Sequence, residues 1–222
     1  MLVGIDFSLN SPAITIFDEK KGYTFISLFN YGDKPWPPKK TTLTFKCHED
    51  LMFLDNIEIL PYARHVVSHE HVIREQQKLI DASLLAKRIK DVLIKYSPEL
   101  DYEKIAIEGF SYGSSGNSFI DIIQYNTILK IELINLFGAN KLYVVPPSHV
   151  KKLTGKGNAN KFAMLKGFND NCLNDAFLSN HPLLKYTNTD ENKLAWQTKI
   201  PKPIDDLIDS YFIVNSIRLK LD

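Results

Sequence analysis

Residues 2–29, LVGIDFSLNSPAITIFDEKKGYTFISLF, decide the fold class. Three runs within it, 2–7, 13–17 and 23–29, are apolar, rich in β-branched and aromatic residues, and short enough for strands. Asp18–Gly22 between the last two is charged and closed by glycine, as a tight turn requires. The stretch therefore predicts an antiparallel meander. Asp6 is the anomaly in it. It stands between Ile5 and Phe7, where a carboxylate is costly unless it is paired or coordinates a cation.

Further along, the period changes. Residues 72–96 predict a long amphipathic helix, with Ile73, Ile80, Leu84, Ile89, Val92 and Leu93 at roughly helical spacing and a stop at Ser97–Pro98. Residues 105–107 predict a buried strand that ends on Glu108. A Gly/Ser loop follows, then a helix from about Phe119 to Phe137 capped by Gly138. KLYVVPP (141–147) predicts another strand. Short helices are expected from Ser148 and near Phe162–Phe168, and a last one over 203–219 with Pro203 in its first turn. Residues 30–71 read as an insertion beside the sheet, with LTF (43–45) and IEIL (57–60) as two further short strands. Residues 169–200 read as polar and irregular with one weak helical stretch. The order of strands and helices predicts a single α/β domain over 1–222 with a mixed sheet.

Length and composition narrow the classes. A chain of 222 residues can build one α/β domain with its own core. No apolar run reaches the roughly 18 residues of a membrane span, and MLVGIDFSLN has no basic leader. An intracellular protein is expected. Cys47 and Cys172 form no CxxC pair, which predicts buried thiols in a reducing compartment and no structural zinc. His65, His69 and His71 read as a solvated loop-to-helix junction, and His149 as a surface or cap residue. A net charge of +1 excludes nucleic-acid binding by bulk charge. A local patch is present instead: KKLTGKGNANKFAMLK (151–166) carries Lys151, Lys152, Lys156, Lys161 and Lys166 with no acid among them.

Glu108 repeats the oddity of Asp6 at the end of an apolar strand. The last helix repeats it again. Asp206 and Asp209, three apart, share one helical face, and Tyr211–Val214 just beyond place that helix in the core. Asp205 lies four before Asp209 and could share the face. Asp205 or Asp206 could also be helix-start acids that complement the dipole. Oxygen-only ligands suit Mg²⁺ or Mn²⁺. Four carboxylates can hold two such ions about 4 Å apart, an arrangement suited to phosphodiester hydrolysis.

Four blocks of the chain resemble the RuvC-like Holliday junction resolvases of the ribonuclease H superfamily. GIDFSLNSPAITIF is similar to the family's first acidic strand, and IAIEGFSYGSSGNSFIDIIQYN to its second with the following loop and helix. VVPPSHVKKLTGKGNANKFAML is similar to a P-x-x-V-K segment followed by T/V-G-x-G-x-A-x-K, with Pro147, Val150, Lys151, Gly155, Gly157, Ala159 and Lys161 in register. PIDDLIDSYFIV is similar to the closing helix with two acids three apart. The blocks cover 70 residues in the family's order.

The resemblance implies a ribonuclease-H-like five-stranded mixed sheet flanked by helices. It implies a homodimer that nicks two strands of branched DNA with Mg²⁺, and a metal and catalytic set of Asp6, Glu108, Asp206 and Asp209. Lys151, Lys152, Lys156 and Lys161 would neutralise DNA phosphates, with Gly155 and Gly157 letting backbone approach them. The family's wedge aromatic, three residues after the strand acid, is Ser111 here. Phe110 and Tyr112 flank it, each either a base-stacking or a core residue. This and the length of 30–71 and 169–200 suggest a divergent, viral or phage-borne member.

Alternatives on the same scaffold are a nuclease for flaps or RNA–DNA hybrids and a non-catalytic nucleic-acid-binding protein. An actin-like phosphotransferase would need glycines after Asp6, where Ser8, Asn10 and Ser11 stand. A proofreading exonuclease would need D-x-E, where Asp6–Phe7–Ser8 stands.

Overall fold

The structure is a computed structural model that describes residues 1–31, 43–64, 68–110 and 117–219. The N-terminal meander is β1 (Leu2–Asp6), β2 (Ala13–Asp18) and β3 (Gly22–Asn30). β1 and β2 are antiparallel, with Gly4 opposite Thr15 and Asp6 opposite Ala13. β2 and β3 pair in the same sense, with Asp18 opposite Gly22. Asp18 Oδ1 accepts from the backbone N–H groups of Lys20 and Lys21 at 2.8 and 3.0 Å, and Gly22 takes the left-handed φ of 82° that closes the turn.

β5 (Lys104–Glu108) adds parallel to the other side of β1, and β6 (Leu142–Val145) adds parallel to β5. A three-stranded meander extended by two parallel strands beside its first strand is the ribonuclease-H-like arrangement. Among the described residues the sheet has six strands where five were expected; with the edge strand Ile57–Tyr62 as β4, the order is β4-β3-β2-β1-β5-β6. The extra strand is β4 (Ile57–Tyr62), parallel to β3. β3 is nine residues long, and its outer edge would otherwise leave backbone groups unpaired. LTF is not a strand. It opens α1 (Leu43–Leu51), whose Phe45, His48 and Leu51 recur three apart and are buried.

Helices cover both faces. α2 (His71–Tyr96) and α3 (Asn117–Phe137) pack on the side that receives Val3, Ile5, Ile14, Ile16, Ile105 and Ile107. The opposite face carries Ala13, Phe17, Phe25 and Ala106 against α4 (Pro147–Lys152), α5 (Lys161–Asn174) and α8 (Ile204–Arg218). Residues 169–200 are more regular than their composition suggests. They complete α5 and form α6 (Pro182–Thr187) and α7 (Asp190–Ala195), capped by His181 and Thr189. Leu178, Leu183, Leu184, Trp196 and Ile200 from this region enter the α8 core. Each short helix supplies too few apolar residues to show a period. Both cysteines are buried, and among the described residues no helix is long and apolar enough to cross a membrane.

Side chains alternate along a strand, so Gly4 and Asp6 share the α8 face of β1, and Ala106 and Glu108 share that of β5. α8 lies against Gly4 at backbone contact. A Cβ there would sit 2.4 Å from both Ser210 O and Val214 N. The residues paired with Gly4, Thr15 and Ala106, are small too. Thr15 Oγ1 and Ser210 Oγ hydrogen-bond at 2.7 Å across this floor. Gly4→Ala is expected to cost about 3 kcal/mol or to prevent folding, because backbone rather than a flexible side chain must move. Denaturant unfolding measures this, and an unchanged midpoint would contradict the close approach.

Candidate active site

The geometry of the site follows from that contact. β1 and β5 run parallel with Gly4 beside Ala106 and Ile5 beside Ile107. One step further, Asp6 and Glu108 stand at the C-terminal ends of adjacent strands, where α/β sheets place their ligand crevices. α8 crosses this edge with its first two turns and contributes Asp206 and Asp209.

The electrostatics record the convergence. The Asp6 carboxyl is held well above the usual range, first by burial and then by the charges of Asp206, Asp209 and Glu108, with Lys202 opposing. Glu108 is pushed up to about 7 by burial and then by Asp209, with Lys151 opposing. Asp209 is pushed up to about 6 by burial and then by Asp206, with Lys161, Lys202 and Lys151 opposing. Acids from three elements far apart in the chain thus share one low-dielectric region.

Asp205 and Asp206 occupy successive positions about 100° apart around the helix, so they face different surroundings. Asp206 is the one felt by Asp6 and Asp209. Ser11 Oγ donates to its Oδ2, and Lys202 Nζ is ion-paired with its Oδ1. Asp205 is ion-paired with Lys161, the first residue of α5, and lies 3.8 Å from Lys202 Nζ. Sequence reasoning missed Ser11 and Lys202. The first was read only as a missing glycine. The second lies just outside the helix, but its place four before Asp206 was a usable signal.

All the donors are carboxylate oxygens, a set that fits a hard divalent cation. Among the described residues, no three acidic, histidine or cysteine side chains are gathered as closely as one ion needs. Both oxygens of Asp206 are already engaged by Ser11 and Lys202.

The basic segment divides. Lys151 lines a cavity of about 270 Å³ together with Glu108 and Asp209. Lys152 and Lys156 are exposed. Lys161 is committed to Asp205, and Lys166 to Asp170 at 2.5 Å. Gly155 has a φ of 96°, with open space where a Cβ would be, while a Cβ on Gly157 would rest 3.4 Å from Ser148 O. Phe110 walls the same cavity. It meets Phe119 edge-on at 5.9 Å, and Lys130 Nζ lies 4.7 Å from its ring centroid. Tyr112, Ser111 and His65 lie outside the described residues.

No protein-family model matches the chain, and no curated protein matches it in sequence. Among solved structures, a Thermus thermophilus RuvC structure is 12% identical, with 98% of this chain and 95% of that one covered and a TM-score of 0.49. A second, T. thermophilus RuvC in complex with a Holliday junction substrate, is 8% identical, with 99% and 95% covered and a TM-score of 0.47. Both overlays span nearly the whole chain but are loose; strand order and pairing sense define the fold.

Proposed function

We propose that the chain is a divalent-metal-dependent endonuclease that cleaves branched DNA, with the four-way junction as its substrate and a homodimer as its working form. The observation that carries this reading is the shared negative field around Asp6, built from Glu108, Asp206 and Asp209 beside a lysine-bearing cavity. Asp6, Glu108 and Asp209 would hold Mg²⁺ or Mn²⁺, with Asp206 as a fourth ligand or as an orienting group. A bound ion of this kind supplies Lewis acidity to the phosphodiester and neutralises the acids. Hydrolysis adds a water oxygen to phosphorus, and one ester oxygen leaves with a proton.

The protein's own residues do the positioning. Ser11 and Lys202 fix the Asp206 carboxylate. Lys151 sits where it can meet the phosphate beside Glu108 and Asp209, and Lys152 and Lys156 can neutralise neighbouring phosphates. Lys161 acts through Asp205, tying the basic segment to α8, rather than as a phosphate contact. Phe110, which walls the cavity, would stack on an unpaired base; Tyr112, the other aromatic beside Ser111, is the alternative for that role. Two copies would present two such sites to the two strands that are cut.

The decisive test is incubation of the purified chain with a synthetic four-way junction, a flap and an RNA–DNA hybrid, with and without Mg²⁺. Mg²⁺-dependent nicking of the junction is expected, falling to background in Asp6→Asn while junction binding persists. Full cleavage by Asp6→Asn would refute the site, and cleavage of the flap or hybrid alone would refute the substrate. Lys151→Ala with Lys156→Ala should lower the log–log salt slope of junction binding by roughly 2; an unchanged slope would remove their phosphate role.

The raised carboxyls also predict a pH signature. Glu108 and Asp209 titrate higher folded than unfolded, so the folded protein keeps protons that the unfolded chain loses above about pH 4. Stability present below that pH is lost as pH rises through about 6 and 7, the folded values. Asp209→Asn should therefore raise the metal-free thermal midpoint at pH 8 by about 2–4 °C for each kcal/mol of repulsion relieved, with little effect at pH 4. Mg²⁺ should stabilise the natural chain more at pH 8 than at pH 5. Equal effects at both pH values would contradict the shared field.

A further inference from the structure

The cavity beside Glu108 and Asp209 has a second wall that the cleavage chemistry does not use. Phe7, Phe110 and Phe119 line it, and so does Asn126 of α3. Phe119, Ile122 and Asn126 stand at i, i+3 and i+7, one helical face turned to the cavity. Asn126 is 2% exposed, and among the described residues its Oδ1 has no hydrogen-bond partner. A buried amide oxygen without a donor destabilises the folded protein, and an apolar residue would fill the same place without that penalty. Tyr125 beside it and Leu129 one turn on are buried in the α2–α3 core, and among the described residues no donor in the fold meets this oxygen. A ligand that brings a donor would satisfy it.

We propose that this cavity captures one unpaired nucleobase next to the cleaved phosphate and that Asn126 reads its identity. The proposal rests on the nuclease reading above and adds a specificity determinant to it. The wall opposite Glu108 and Asp209 has the components that hold a base. Aromatic rings give stacking faces that accept any base, with Phe110 held in place by Phe119 and Lys130. The volume of about 270 Å³ is at the small end for ligand pockets, suited to one base and not to a base pair. Lys151 in the same wall accounts for the phosphate that the base brings with it. The orphan acceptor selects a base with an exocyclic amine. Adenine matches an asparagine amide on both sides, its N6 amine donating to the carbonyl and N7 accepting from the amide N–H.

The test is cleavage of four-way junctions randomised around the branch point, with products sequenced, in parallel with selection of the same pool by binding to Asp6→Asn. The natural chain should favour adenine at one position near the cut by about tenfold or more, and Asp6→Asn should retain that position in the bound pool. Asn126→Leu should flatten the preference about tenfold and raise the thermal midpoint, because the unsatisfied oxygen is gone. Asn126→Asp, nearly isosteric, should keep a preference for the bases with an exocyclic amine, adenine, cytosine and guanine, over thymine, since both its oxygens accept. Cleavage with no base preference, or a preference that survives Asn126→Leu, would overturn the pocket and leave the nuclease standing. An Asn126-dependent preference in binding without any cleavage would uphold the pocket and overturn the nuclease.

Discussion

The contact between α8 and Gly4 is the constraint from which the site follows. A helix normally rests on a sheet through side chains, at a distance that would leave the acids of α8 far from the strands. Here Ser210 and Val214 meet the strand at backbone distance, because Gly4 has no Cβ and Thr15 and Ala106 beside it are small. The helix is thereby lowered onto the sheet edge where β1 and β5 end. Asp6, two residues after Gly4, inherits the proximity. Packing and chemistry are thus one decision in this fold: the glycine that seats the helix also brings together carboxylates whose mutual repulsion a looser arrangement would relieve.

That repulsion is only partly answered within the chain. Lys202 and Ser11 hold Asp206, and Lys161 holds Asp205. These pairs are buried on their acidic side, which makes losing one partner costly. Asp6, Glu108 and Asp209 remain raised by burial and by their acidic neighbours. A protein selected only for stability would replace such residues. Local destabilisation of this kind gathers where function needs it. The same logic applies across the cavity, where Asn126 carries an oxygen that no described residue meets.

Much of this was legible in the sequence, and the illegible parts have physical reasons. The meander, the two apolar strands that became β5 and β6, and the last helix each announced themselves by apolar runs, by period or by turn residues such as Gly22. The acids stood out because they interrupt apolar runs. β4 was legible as IEIL, but its place at the edge of β3 was not, since pairing partners leave no local mark. LTF favoured a strand locally, and burial of Phe45, His48 and Leu51 on one face overrode that preference. The split between Asp205 and Asp206 depends on which way a helix is rotated on its sheet, which Gly4 sets from two hundred residues away. Asn126 sits in a mixed helical stretch two residues after Gln124, where a further amide looks incidental. Only its burial without a partner gives it meaning.

The central claim is that acids from β1, β5 and α8 form one cation site. A crystal of the natural chain soaked in Mn²⁺ and measured near the manganese absorption edge tests it most directly. Anomalous density between the side chains of Asp6, Glu108 and Asp209 is the result this account predicts. Density confined to other acids, or none at a concentration that supports cleavage, would contradict it.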